Sequence, residues 1–192
     1  MGLDEARQRR DSARNAEQAR HAEESRRIAA ASQQLDSGLR QVAQEFARQM
    51  QGRPTVTIET WSQRSAAPRF YQINRLSRFV YKSSGSVTGW PVAVHGVYDE
   101  SSHVSTHGLL VSAVGDCTFV DYGHYGADED GWQHTVSATP ATTADQLIHA
   151  VELCTRGRRG DSLLIKFEDS CLEVLDAPIA LTGRMFPSIP SS

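Results

Sequence analysis

The chain has 192 residues, of which 39% are hydrophobic and 22% are charged. That length suits one globular domain with an extension, and the composition excludes a wholly disordered protein because enough apolar side chains are present to form a core. The formal net charge is −3. No run of about 18 apolar residues occurs, so the sequence predicts no transmembrane helix and no membrane partner.

Charge is distributed unevenly along the chain. Residues 1–50 carry a net charge of +1, residues 51–82 carry +5 and residues 83–192 carry −9. The three cysteines include no CxxC pair, which argues against both a disulfide framework and a zinc knuckle. The N-terminus is polar and lacks the apolar stretch of a secretory signal. These features together predict a cytoplasmic protein.

Residues 1–51 are predicted to form a long, charged helix. Alanine, glutamate, glutamine and arginine dominate the segment, and all four favour helix. Opposite charges recur at helical spacing, as in Glu23 and Arg27, and such pairs support an exposed helix. Residues 4–27 contain no large apolar side chain, so this half of the helix lacks the apolar a and d positions of a coiled coil.

The second half of this helix carries an apolar face. Leu35, Leu39, Val42 and Phe46 follow one another at spacings of three or four residues, which places them on one side of a helix. Such a face must be buried against either the following domain or another copy of the helix, and the sequence leaves both open. It also leaves open whether Asp-Ser-Gly at 36–38 interrupts the helix.

Residues 53–177 are predicted to form an α+β domain, in which a mostly antiparallel sheet of six to eight strands carries one late helix. Alternating apolar residues predict strands at 55–61, 70–82, 92–98, 104–114, 118–122 and 132–138, with a final hairpin at 163–175. Turns or loops are expected at 83–86, 99–102, 115–116 and 123–131.

The late helix is predicted at residues 144–156. Several residues suited to capping a helix precede it at 139–143, and Leu147, Val151 and Cys154 share its apolar face. Residues 178–192 include three prolines and are expected to form an extended tail.

A non-enzymatic function is favoured, because no catalytic or phosphate-binding motif occurs. The leading hypothesis is a protein-binding or assembly protein, a scaffold or adaptor, that acts through its N-terminal helix. Its predicted contact residues are the apolar face defined above, namely Leu35, Leu39, Val42 and Phe46. The partner would be another protein or a second copy of the chain, and no cofactor or metal is expected.

Nucleic-acid binding is the first alternative. The segment 64–82 interleaves basic and aromatic residues, a combination that can hold phosphates and stack bases. The residues assigned to this role are Arg69, Tyr71, Arg75 and Arg78. Packing of the aromatic residues in the core, with the arginines in water, explains the same pattern without a ligand.

A hydrolase or metal-dependent enzyme centred on residues 116–134 is the second alternative. Four side chains in this region could form a loop-borne site, namely Asp121, His124, Asp128 and His134. Their spacing matches no metal-ligand pattern. Cys117 could serve as a nucleophile, but the nearby carboxylates would raise the pKa of its thiol and suppress the reactive thiolate.

Overall fold

The computed structural model describes residues 2–65, 79–98, 104–128 and 131–176. Its elements in chain order are α1 (Leu3–Gln49), β1 (Val56–Ser65), β2 (Phe79–Tyr98), β3 (Val104–Val111), β4 (Cys117–Asp128), β5 (Gly131–Pro140), α2 (Ala144–Cys154) and α3 (Leu163–Asp176). The predicted α+β class is confirmed: a long N-terminal helix precedes an antiparallel sheet, and the later helices pack on that sheet. Predictions made for residues 70–78, 99–102 and 178–192 lie outside the described residues.

Helix α1 runs without interruption for 47 residues, so the segment 36–38 does not break it. The carboxylate of Asp36 accepts hydrogen bonds from Nε of Arg40, one turn later, at 3.0 Å to each oxygen. Gly38 lies against Leu164 of α3, where an added Cβ would meet the leucine methyl groups at 3.4 Å. The glycine therefore allows two helices to approach closely and does not cap the helix.

None of the helices that the structure describes is both long and apolar enough to cross a membrane.

The sheet closes on itself. Each strand pairs antiparallel with the next, and β1 also pairs with β5 through Trp61 and Val136, which completes a closed barrel of five strands in the described part of the chain. The prediction of six to eight strands was too high for these residues. One cause is that β2 is a single 20-residue strand covering two of the predicted segments.

Two predicted turns are strands in the structure. Residues 83–86 continue β2, and an irregularity in the ladder opposite Thr60 and Trp61 accommodates their serines and glycine. Residues 123–128, expected to be loop, continue β4 and pair with β5, with His124 opposite His134. The backbone ladder supplies the hydrogen bonds in both places, whereas the sequence signal came from side chains that favour turns.

The two faces of the sheet belong to different hydrophobic clusters. Along β3, Leu110 joins the cluster inside the closed sheet, while Leu109 and Val111 face outwards and join the cluster beneath the helices. The outer cluster combines side chains from all three helices, including Leu39 and Phe46 of α1. The main core therefore lies between the outside of the sheet and the helices.

Helix α2 begins where the sequence predicted it. Thr143 caps its first turn: the hydroxyl accepts a hydrogen bond from the backbone N–H of Gln146, and the Gln146 side chain accepts one from the Thr143 N–H. This reciprocal pair satisfies donors that helix formation would otherwise leave unpaired. Leu147, Val151 and Cys154 are buried, as predicted.

The prediction of a final hairpin at 163–175 is wrong, because these residues form helix α3. Phe167, Ser170, Cys171 and Val174 are buried on one side, and their spacing is that of a helix. The apolar run at 163–165 resembles a strand locally, and the polar residues that follow resemble a turn. Burial of a complete helical face against the sheet outweighs these local preferences.

Candidate protein-binding surface

The structure divides the four predicted contact residues of α1 between the core and a groove. Leu39 is fully buried and Phe46 is 2% exposed, with its ring edge-on to Trp90 at a centroid distance of 6.2 Å. Leu35 and Val42 are half-buried and pack against the same cluster. The chain itself thus covers the centre of this face, and its contact with a partner stays a prediction.

An open apolar groove of about 430 Å³ runs between α1 and α3. Its apolar lining consists of Val42, Phe46, Leu164, Cys171, Leu172 and Leu175. Leu172 is 54% exposed and, with its apolar neighbours in the groove, forms part of an apolar surface open to solvent. Two of the predicted α1 residues therefore line a surface that a partner could reach.

The α3 side of the groove was missed by the sequence analysis because residues 163–175 were assigned to a hairpin. A signal for it exists in the spacing of Leu164, Glu168, Cys171 and Leu175, which are separated by four, three and four residues. That spacing predicts one helical face.

The two helices that form the groove run side by side in the same direction. Leu164, at the start of α3, contacts Gly38, and the carbonyl of Leu175, near its end, accepts a hydrogen bond from Nη1 of Arg53 at 2.9 Å. Arg53 lies four residues after the end of α1. The groove is therefore an elongated channel about three helical turns long.

The N-terminal part of α1 leaves the body of the protein as an arm, defined here as residues 3–31. Every residue from 12 to 31 is exposed, including Ile28 at 62%. Glu23 and Arg27 form an ion pair one turn apart at 3.1 Å, as the sequence predicted. At 1.5 Å per residue the arm is about 43 Å long.

The base of the arm is fixed to the rest of the molecule. Nη2 of Arg40 donates hydrogen bonds to the carbonyls of Ala141 and Thr142, at 3.4 and 3.2 Å, just before α2. Together with the buried residues of the outer cluster, these bonds set the direction in which the arm leaves the body.

The residues of the nucleic-acid hypothesis, Arg69, Tyr71, Arg75 and Arg78, lie outside the described residues. Only the ends of the basic segment are described, as backbone in β1 and β2, where Arg64 pairs with Val80. Nucleic-acid binding stays a prediction.

A polar row crosses the outer face of the sheet and includes Asp121, which lies in the segment proposed for catalysis. Asp121 lies opposite His107 on one side and Ser137 on the other, and His107 lies opposite His95. His107 Nδ1 and Asp121 Oδ1 are 3.1 Å apart, but their orientation makes no hydrogen bond. Asp121 therefore separates Ser137 from His107 in this row. A serine nucleophile would need a histidine within hydrogen-bond reach.

In the described residues, no group of three or more histidine, cysteine, aspartate or glutamate side chains is arranged to hold a metal ion. The side chain of Asp121 is half-buried and lies beside the ring of His107. The backbones of His124 and His134 are paired across β4 and β5.

Burial makes the cysteines poor nucleophiles. Cys117, Cys154 and Cys171 are all buried free thiols. Loss of hydration on burial raises the pKa of Cys117 from 9.0 to about 12, although Arg40 acts to lower it. Burial also raises the pKa of Cys154 to about 12 and that of Cys171 further. Because the thiolate is the reactive form, these values argue against cysteine catalysis.

We expect the folded protein to resist thiol-specific reagents at about pH 8, and the denatured protein to react at three thiols. The raised pKa values also predict how the free energy of unfolding depends on pH. Between pH 9 and about 12, for Cys117 and Cys154, the unfolded chain loses thiol protons that the folded chain retains, so the free energy of unfolding falls as pH rises.

The check is a series of denaturation curves at rising pH, with Cys154→Ala as the control that removes one titrating thiol and so reduces the slope. Rapid labelling of the folded chain at pH 8 would contradict the buried positions of these side chains.

No family model matches the chain, and neither a curated protein nor a solved structure matches it.

Proposed function

We propose that this protein is a non-enzymatic protein-binding or assembly protein that acts through α1. One observation carries the proposal: α1 is a single helix whose last third is built into the core while residues 12–31 are exposed on all sides. A helical segment that is polar on nearly every side and is not buried in the core of its own domain is typical of segments that bridge to something else. The arm would hold the body at a set distance from its partner or from a second copy.

The structure indicates where the chain can be shortened to test this role. A chain starting at Arg53 would lose the whole of α1, and with it Leu39, Phe46 and Met50 of the core. A chain starting at Ser32 keeps every residue of the buried clusters and removes the exposed residues 12–31 together with the residues before them. Serine is a favourable residue at a new helix N-terminus. We therefore expect the chain starting at Ser32 to keep the stability of the body.

The experiment compares the two chains by light scattering over a range of concentrations. If the arm mediates self-assembly, the full chain exceeds the monomer mass and the shortened chain does not. For a different partner, a photo-reactive residue replacing Arg20 on the arm should cross-link in a native extract, while one replacing the exposed Glu152 on α2 should not. A monomeric full chain with equal cross-linking at both positions would contradict the proposal.

A further inference from the structure

We propose that the groove between α1 and α3 binds one amphipathic helix of a partner protein, with an apolar stripe on the groove floor and lysine or arginine on its flanks. This inference rests on the proposed protein-binding function and names the chemistry of the partner. Binding of a helix in an apolar groove between two helices is a common mode of peptide recognition.

The shape and polarity of the floor favour a helix as the occupant. The channel extends from Leu164 to Leu175, which corresponds to about 16 Å of helix. Leu172 is 54% exposed, and Val42, Leu164 and Leu175 are only half-buried. Side chains repeating every three or four residues on a three-turn helix would cover these four positions and remove their apolar surface from water.

The charges around the groove favour a basic occupant. Its two ionisable carboxylates are Glu45 and Glu168, and no basic residue lines it in the described part of the chain. Glu45 is already paired with Arg48 at 2.8 Å, whereas Glu168 makes no ion pair among the described residues. Helix α3 as a whole carries one lysine against four acidic residues, of which Glu173 is paired with Arg158 at 2.9 Å. A partner with cationic flanks would meet this negative field.

Neither end of the chain offers a segment that fits the groove well. The arm contains a single large apolar residue between positions 4 and 31, Ile28, and so cannot fill a floor of three turns. Residues 177–192 contain three prolines and one basic residue, Arg184, a composition unsuited to a basic helix. A helix from another protein is therefore the occupant that the groove favours.

The test uses the full chain and three fluorescent peptides of about three helical turns. The peptides share one leucine stripe and differ only in carrying lysine, glutamine or glutamate on the flanks. Fluorescence anisotropy should give the tightest binding for the lysine peptide and the weakest for the glutamate peptide. We expect the dissociation constants of the three peptides to span about tenfold at low salt. This difference should narrow near 0.15 M salt, because screening shortens the distance over which charges interact.

Two substitutions locate the binding. Leu172→Asp should weaken all three peptides at least about tenfold, because it places a charge on the apolar floor. Val114→Asp is the matched control, since Val114 is 74% exposed on the turn between β3 and β4 and does not line the groove. Glu168→Gln should reduce the preference for the lysine peptide and leave the glutamine peptide unchanged.

Equal binding of the three peptides, absence of binding, or a normal affinity in Leu172→Asp would overturn the inference. Two further outcomes would assign the groove to another occupant and overturn it too. One is a concentration-dependent rise in mass that Leu172→Asp abolishes, which indicates a second copy. The other is an affinity raised several-fold by Phe186→Ser, which indicates the chain's own C-terminal segment.

The arm experiment separates the two proposals. If the groove binds no peptide while the arm still mediates assembly or cross-linking, only the groove inference fails. If neither the arm nor the groove makes a contact, the proposed function fails with it.

Discussion

Replacing Phe46 by alanine is expected to lower the free energy of unfolding by about 3–5 kcal/mol, the usual cost of removing a buried phenylalanine ring. The side chain is 2% exposed and packs edge-on against Trp90, whose indole N–H donates to the carbonyl of Pro54 at 3.1 Å. Loss of the ring would leave a cavity where α1 crosses the sheet. For a domain with a total stability of 5–15 kcal/mol, this is a large fraction.

Urea denaturation followed by circular dichroism measures the effect. Ile28→Ala is the matched control, because Ile28 lies on the same helix and is 62% exposed. We expect that variant to remain within about 0.5 kcal/mol of the parent chain. A small effect of Phe46→Ala together with a lower solution mass would show instead that the apolar face of α1 is covered by another copy.

This result bears on how the predicted contact residues should be tested. Aspartate at Leu39 or Phe46 would place a charge in the main core, so loss of partner binding in such a variant would reflect unfolding. Substitutions at Val42 and Leu172, which line the groove, test binding with less damage to the fold.

Local patterns predicted helices α1 and α2 well. The apolar spacing from Leu35 to Phe46 gave the buried face of α1, and the capping residues before Ala144 gave the start of α2. Both signals lie within a few turns of one helix, so they depend little on distant parts of the chain. The antiparallel order of the sheet followed from short connections between strand-like segments.

Prediction failed where distant contacts decide the structure. Residues 163–175 form a helix because four of them bury one face against the sheet. Their spacing fits a helix, but the apolar run at 163–165 and the polar residues after it favour a hairpin locally. Residues 123–128 include two glycines and one aspartate, yet they extend β4 because β5 supplies their hydrogen-bond partners. The groove was missed for the same reason, since one of its two walls is α3, which the sequence analysis assigned to a hairpin.

Gly115 provides the second large effect that we expect. It ends the tight turn after β3, where its N–H donates to the carbonyl of Ser112 at 3.0 Å, and its φ of +87° lies in the left-handed region. A Cβ at this position would come within 2.8 Å of the Cα of Gln44 in α1. The sequence predicted the turn, but its close approach to α1 is visible only in the folded chain.

Gly115→Ala is therefore expected to lower the free energy of unfolding by about 2–5 kcal/mol. About 1–2 kcal/mol of this arises from a side chain in the left-handed region, and about 1–3 kcal/mol from the overlap with the backbone of α1. Gly157→Ala is a control with nearly the same backbone conformation, φ +82°, and no atom within 4 Å of the added Cβ. It should show only the first of these costs.

Denaturation curves of the two variants, measured side by side, isolate the contact between the turn and α1 as the difference in their stability. That difference also concerns the arm, because the turn packs against α1 at Gln44, four residues after Arg40. Arg40 is the residue that hydrogen-bonds α1 to the segment just before α2. If the packing at Gly115 helps hold α1 in place, Gly115→Ala should also increase hydrogen exchange at the backbone of residues 40–48, whereas Gly157→Ala should not. Equal stability losses and equal exchange in the two variants would contradict a supporting role for the turn.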